Sequence, residues 1–224
     1  MSKANEISPN GRQSLINGAF SRRALYLLLA RIFAAEADRP LLSELKQPPI
    51  RDVLKTLDME MDLAGNSGRR DDTIEALGEE FTFLFLGPGK HIAPYESVQL
   101  KRGSGLLMGK ETVFVRQFID QAGFDFTPAY GGIPDHISVE LEFLGRLAEA
   151  EAKALEGNDT ERRLAAAGWQ HKFISDHIGK WASVFAQRVR KRATLPFYPG
   201  FARILPRFLV TERTYLAAVL GRVP

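Results

Sequence analysis

An all-α fold, a single compact domain of roughly eight to ten helices over residues 1–224, is the class this sequence predicts. Three observations point to it. Apolar residues recur at three- and four-residue spacings along most of the chain, no stretch alternates with the period of a strand, and the breaks between segments are marked by proline and glycine. With 224 residues, 45% of them hydrophobic and 25% charged, the chain can bury a real core.

The elements follow in order. Residues 1–13 are polar. From Ser14 to Ala37, Leu15, Phe20, Leu25, Leu28, Leu29, Ile32 and Phe33 mark a long first helix, which Pro40 is expected to close. A second helix is expected from Ile50 to Leu63, after Pro48 and Pro49. The polar run Gly65 to Asp72 reads as a loop with Asp72 as a helix cap. The next helix carries Ile74, Leu77, Phe81, Leu84 and Phe85 on one side and stops at Gly87-Pro88-Gly89. Phe83 and Leu86 cannot share that stripe, so its end is apolar on both faces. Either the helix is buried all round, or its second face lines a groove for an apolar peptide.

Helical periodicity disappears over residues 87–103, where Gly87, Pro88, Gly89, Pro94 and Gly103 interrupt it. Helix returns from Ser104 to Ala122, with Leu106, Leu107, Val113, Phe114 and Phe118 as its apolar positions. A second break, Gly123 to Pro134, is a candidate hinge. Ile133 to Leu155 then opens on a Pro-Asp-His turn and continues as a helix with Ile137, Leu141, Leu144, Ala148, Glu151 and Leu155 roughly one turn apart, the apolar members on one face. After the turn Gly157-Asn158-Asp159, one helix is expected from Thr160 to Ala193, carrying Trp169, Phe173, His177, Trp181 and Phe185. Phe197 to Gly221 reads as one or two helices broken at Pro206.

Composition removes several function classes. Without cysteine there is no disulfide, thiolate metal site or cysteine nucleophile. The N-terminus lacks the apolar core of a secretory signal, and the longest apolar run, Ala24 to Ala35, contains Arg31 and is too short for a bilayer. The chain therefore reads as soluble and cytoplasmic, with no stable membrane insertion. Thirty lysines and arginines against 27 aspartates and glutamates leave a net charge of +3. The dense basic cluster, Arg188, Arg190, Lys191 and Arg192, stands at a helix end where cations favour the dipole; nucleic-acid binding is the competing reading.

The candidate functional residues gather at the mouth of the Ile133–Leu155 helix. His136 and Glu140 are one turn apart and could ligate a metal in a hydrolase, with His171 or His177 as a third ligand. Asp135 suits an N-cap, and equally a carboxylate that accepts guanidinium hydrogen bonds from a partner. Ser97 has no nucleophile frame, and Gly87-Pro88-Gly89-Lys90 lacks the spacing of a phosphate loop, so no enzyme and no cofactor is expected.

EEFTFLFLGPG, PYESV, PDHISVELEFLGRLAEAEA, FISDHIGKWASVFA and PFYPGFARIL, in this order from Glu79 to Leu209, resemble the TorD/DmsD/NarJ family of molybdoenzyme-specific chaperones. The resemblance implies an all-α, non-catalytic protein. Such chaperones bind the twin-arginine signal peptide or apo-form of a molybdenum oxidoreductase and hold it for cofactor insertion and proofreading before export or assembly. The implied partners are the apo-enzyme catalytic subunit and its signal peptide, with molybdenum-cofactor biosynthesis proteins and the Tat translocase. The family's client-binding positions fall on Leu84, Phe85, Gly109, Asp135 and His136, with Tyr95 on the same surface; two further aromatic positions of some members are Gly89 and Gln99 here. On this reading the leader's apolar part lies by Leu84, Phe85 and Tyr95. Its arginines meet Asp135, with Glu79 or Glu80 nearby.

Overall fold

Local capping decides where the helices begin in a computed structural model, which describes residues 8–48, 50–51, 70–100, 107–123, 128–129 and 132–221. Helix α1 (Pro9–Ala34) starts before Ser14 because Ser8 accepts the Gly11 amide at 3.2 Å and Pro9 fits the first turn. Asp38 caps α2 (Arg39–Leu45) in the same way, accepting the Leu41 amide at 2.9 Å. Pro40 therefore opens a helix rather than closing one, since a first-turn amide has no partner to lose. Of the helix expected over 50–63, Ile50 and Arg51 are helical and the rest lies outside the described residues. Asp72 falls within α3 (Arg70–Phe81), not at its cap.

Helix α3 widens into one π-helical turn, Thr82–Leu86, closed by Gly87 N–H donating to Thr82 O at 2.6 Å. Residues 87–103, expected to be irregular, contain a short helix α4 (Glu96–Gln99). Helix α5 (Lys110–Gln121) begins later than Ser104, because Met108 takes a positive φ of 63° and Gly109 is the N-cap. Helix α6 (Ile137–Glu156) is followed by α7 (Thr160–Asp176), α8 (Ile178–Arg192) and α9 (Phe197–Val219). Thus the single helix expected from Thr160 to Ala193 is broken at His177, whose φ and ψ are −123° and −104°. Gly179 makes the break possible: a Cβ there would stand 2.3 Å from Ile174 O. Conversely, α9 runs through Pro206 without interruption.

Helix α6 is the centre, buried on all sides over residues 137–145 and open beyond them only on the face of Arg146, Glu149 and Lys153. Helix α1 lies against it, and Gly145 allows the approach, since a Cβ would meet Leu27 Cδ2 at 3.2 Å. Phe33, Phe85 and Phe185 form an aromatic cluster between α1, the π turn and α8, with Phe33 and Phe185 centroids 5.3 Å apart. Glu151 of α6 accepts from Arg22 of α1 at 2.6 Å, Gln170 of α7 at 3.0 Å and Tyr215 of α9 at 2.9 Å. One buried carboxylate thereby ties four helices.

Gly179→Val should lower stability by about 1–3 kcal/mol, the usual cost of forcing atoms into filled space. A lower urea midpoint with an unchanged transition slope would show it.

Candidate functional site

Two loops meet at the mouth of α6. Glu96 N–H donates to Asp135 O at 3.0 Å and Ile137 N–H donates to Pro94 O at 2.9 Å, forming an isolated antiparallel bridge between Tyr95 and His136. The Asp135 side chain completes the joint. It is fully buried, and its carboxylate accepts the Ser97 amide at 2.9 Å and the Thr112 hydroxyl at 2.8 Å. Asp135 therefore holds α4, α5 and the start of α6 together.

The N-cap of α6 is His136. Its Nδ1 accepts the Ser138 amide at 3.2 Å and lies 2.7 Å from the Ser138 hydroxyl. Burial pushes the imidazole pKa down to about 4, against the raising influence of Asp135. The ring is thus neutral near pH 7, which leaves Nδ1 its lone pair for the cap. Beneath it, Glu140 is fully buried and Trp181 Nε1 donates to its Oε2 at 3.3 Å. Burial first, then the neighbouring carboxylates Glu96 and Asp135, raise the Glu140 carboxyl well above its usual range. Glu140 Oε1 is buried and has no hydrogen-bond partner among the described residues. Glu96 Oε2 lies 3.1 Å from His177 Nδ1, across the α7–α8 break.

This geometry changes the roles expected for several residues. Asp135 is enclosed and both its oxygens are occupied, so it is neither the α6 N-cap nor an open receptor for a guanidinium. Glu80 is buried as well, its Oε1 accepting the Thr194 and Leu195 amides at 2.6 Å each. Leu84 and Phe85 are core side chains, 0% and 4% exposed, on the stripe that continues from Leu77 and Phe81. Tyr95 and Gly109 remain half-buried, and Tyr95 packs edge-on against His136 with centroids 4.9 Å apart. His136 and Glu140 have separate partners, and among the described residues no group of three or more His, Cys, Asp or Glu could hold a metal ion. The basic cluster is divided too. Arg188 donates to Gln99 Oε1 at 2.8 Å, and Arg192 stacks over Phe83 at 4.6 Å.

What stands open is apolar. Phe83 and Leu86 on the π turn are 48% and 65% exposed. Leu107, Met108, Val113 and Phe114, around the start of α5, are exposed as well. The off-stripe positions of Phe83 and Leu86 were a usable sequence signal. The α5 residues were not distinguishable, because Val113 and Phe114 sit within an ordinary amphipathic pattern.

A family model described as nitrate reductase delta subunit matches residues 43–187. The chain belongs to the TorD/DmsD/NarJ family of molybdoenzyme maturation chaperones. It is 28% identical over 207 residues to the chaperone protein TorD of Aliivibrio salmonicida, covering 88% of this chain and 94% of that one. It is 30% identical over 176 residues to the TorD of Photobacterium profundum, covering 77% and 75%. A putative redox enzyme maturation protein from Archaeoglobus fulgidus has the same fold, with a TM-score of 0.51 at 23% identity over 84% of this chain and 93% of that one. These named relatives are chaperones or maturation proteins, and a TorD-family chaperone is a maturation factor rather than an enzyme.

Asp135→Ala strands the Ser97 amide and the Thr112 hydroxyl, and should cost about 2–4 kcal/mol of stability in denaturant unfolding. Glu140→Gln acts on pH dependence. The folded-state pKa of Glu140 is raised, so the stability linked to its proton is present at low pH and lost as pH rises above the usual carboxylate range. The glutamine variant should therefore unfold at a higher temperature than wild type at alkaline pH, with the difference shrinking toward pH 4–5, about where an ordinary carboxyl titrates.

Proposed function

We propose that this chaperone binds the twin-arginine signal peptide, or the apo-form, of a molybdenum oxidoreductase in the cytoplasm. It holds that client for cofactor insertion and proofreading before export or assembly. Its partners are the apo-enzyme catalytic subunit and leader, with molybdenum-cofactor biosynthesis proteins and the Tat translocase at the hand-over steps. Among the described residues no helix is long and apolar enough to cross a membrane.

The observation that supports this reading is the exposed apolar surface on the π turn and at the start of α5, held on a rigid polar frame. Clustered exposed apolar side chains, such as the pair on the π turn and the group at the start of α5, mark binding surface more often than accident. Tyr95, His136 and Gly109 form the rim, while Leu84, Phe85 and Asp135 fix the backbone from beneath. An apolar leader segment that covers a few such side chains gains about 1.5–3 kcal/mol from each, less the cost of ordering the peptide. The outcome is a moderate affinity, which suits a chaperone that must release its client.

Phe114→Ser and Leu86→Ser should each weaken binding of the client leader peptide about tenfold by calorimetry. Both side chains are exposed, so circular dichroism should stay helical and stability should shift by less than about 0.5 kcal/mol. Unchanged affinity in both variants would exclude this surface.

A further inference from the structure

A groove of about 740 Å³ lies between the chain just after α1 and the outer face of α3. Ile74, Phe83 and Pro88 give it apolar walls, and Gly78 leaves its floor without a side chain. Three exposed carboxylates, Glu36, Glu75 and Glu79, line it. Glu75 and Glu79 are one turn apart on α3, a like-charge spacing that disfavours a helix. Glu36 faces the same stretch of α3: its Oε1 accepts from the Thr82 hydroxyl at 3.1 Å, and its Oε2 lies 3.4 Å from where a Gly78 Cβ would be. Among the described residues, no lysine or arginine forms an ion pair with any of the three. The chain as a whole carries +3, so this acidity is local.

The groove has a guanidinium at one wall already. Arg192, from the end of α8, places its charged carbon 4.6 Å from the Phe83 ring centroid and donates from Nη1 to Lys90 O, while its buried Nε has no acceptor. Phe83 therefore offers a surface on which a guanidinium plane packs, and the groove's three carboxylates pair with none of the described arginines.

We propose that this groove seats the arginines of the client leader, on Glu36, Glu75 and Glu79, with the apolar residues beside them packed on Ile74, Phe83 and Pro88. The proposal rests on the leader-binding reading above and moves the arginine contacts away from Asp135, whose oxygens are occupied. Paired, forked donors meet carboxylates that no described lysine or arginine neutralises, between apolar walls, so the recognised chemistry is a segment with neighbouring guanidinium groups followed by an apolar stretch. Arg192 occupies one end of the groove and repels an incoming cation.

The test is calorimetry at low salt with two synthetic peptides: two adjacent arginines followed by a leucine–alanine stretch, and the same peptide with glutamines in place of the arginines. The doubly substituted Glu75→Gln, Glu79→Gln protein should bind the arginine peptide about three- to tenfold more weakly than wild type and the glutamine peptide unchanged. Arg192→Gln should bind the arginine peptide more tightly, a gain that structural damage cannot produce. If wild type binds the arginine peptide but neither variant alters it, the groove is overturned and leader binding at the apolar surface stands. An equal loss for both peptides also overturns the groove, since the carboxylates would then support the fold only. If wild type binds neither peptide, the groove and the leader-binding reading fall together.

Discussion

Burial of α6, on all sides over residues 137–145 and on all but one face beyond, is the constraint on which the rest of the structure depends. The helix carries Glu140, Glu142 and Glu151 into the interior, and a buried carboxylate must be neutralised or find donors. Each recruits different elements. Glu151 draws Arg22, Gln170 and Tyr215 from α1, α7 and α9. Glu142 accepts the Ala129 amide at 2.7 Å, and Glu140 takes the Trp181 indole of α8 and faces Glu96 of α4. Apolar contact alone tolerates small rotations of a helix. These directed bonds do not, so they set the order of the helices around α6.

The same constraint explains why the polar residues at the mouth of α6 are framework. Asp135, Glu96 and His177 are arranged for satisfaction, each closing a junction between segments distant in sequence. A receptor site would leave a lone pair or proton free for the incoming group. Here the free capacity lies elsewhere, in apolar side chains of the π turn and α5 and in carboxylates beside α3. The frame contributes by rigidity: a backbone bridge and two side-chain bonds hold Tyr95 and His136 in one register.

The π turn links the two halves of this arrangement. It keeps Leu84 and Phe85 in the aromatic core, on the stripe of Leu77 and Phe81, and leaves Phe83 and Leu86 outside. Single π turns recur at functional sites.

By itself, the sequence determined the helical class, the order of most segments and the family, because amphipathic period and motif order are local properties of the chain. It also marked the PYES and PDH segments as belonging together. Tertiary structure decided which polar side chains are enclosed and which residues at the start of α5 face solvent. Ser8, Asp38 and Gly179 moved helix boundaries through caps and one close backbone approach. Leu84 and Phe85 kept the inward stripe that periodicity gives them, while the π turn that carries them was not legible in it. Asp135 passed from candidate receptor to buried joint because its partners, Ser97 and Thr112, are 38 and 23 residues away. Burial and hydrogen-bond satisfaction are set by such distant partners, and no local pattern around the α6 mouth encodes them.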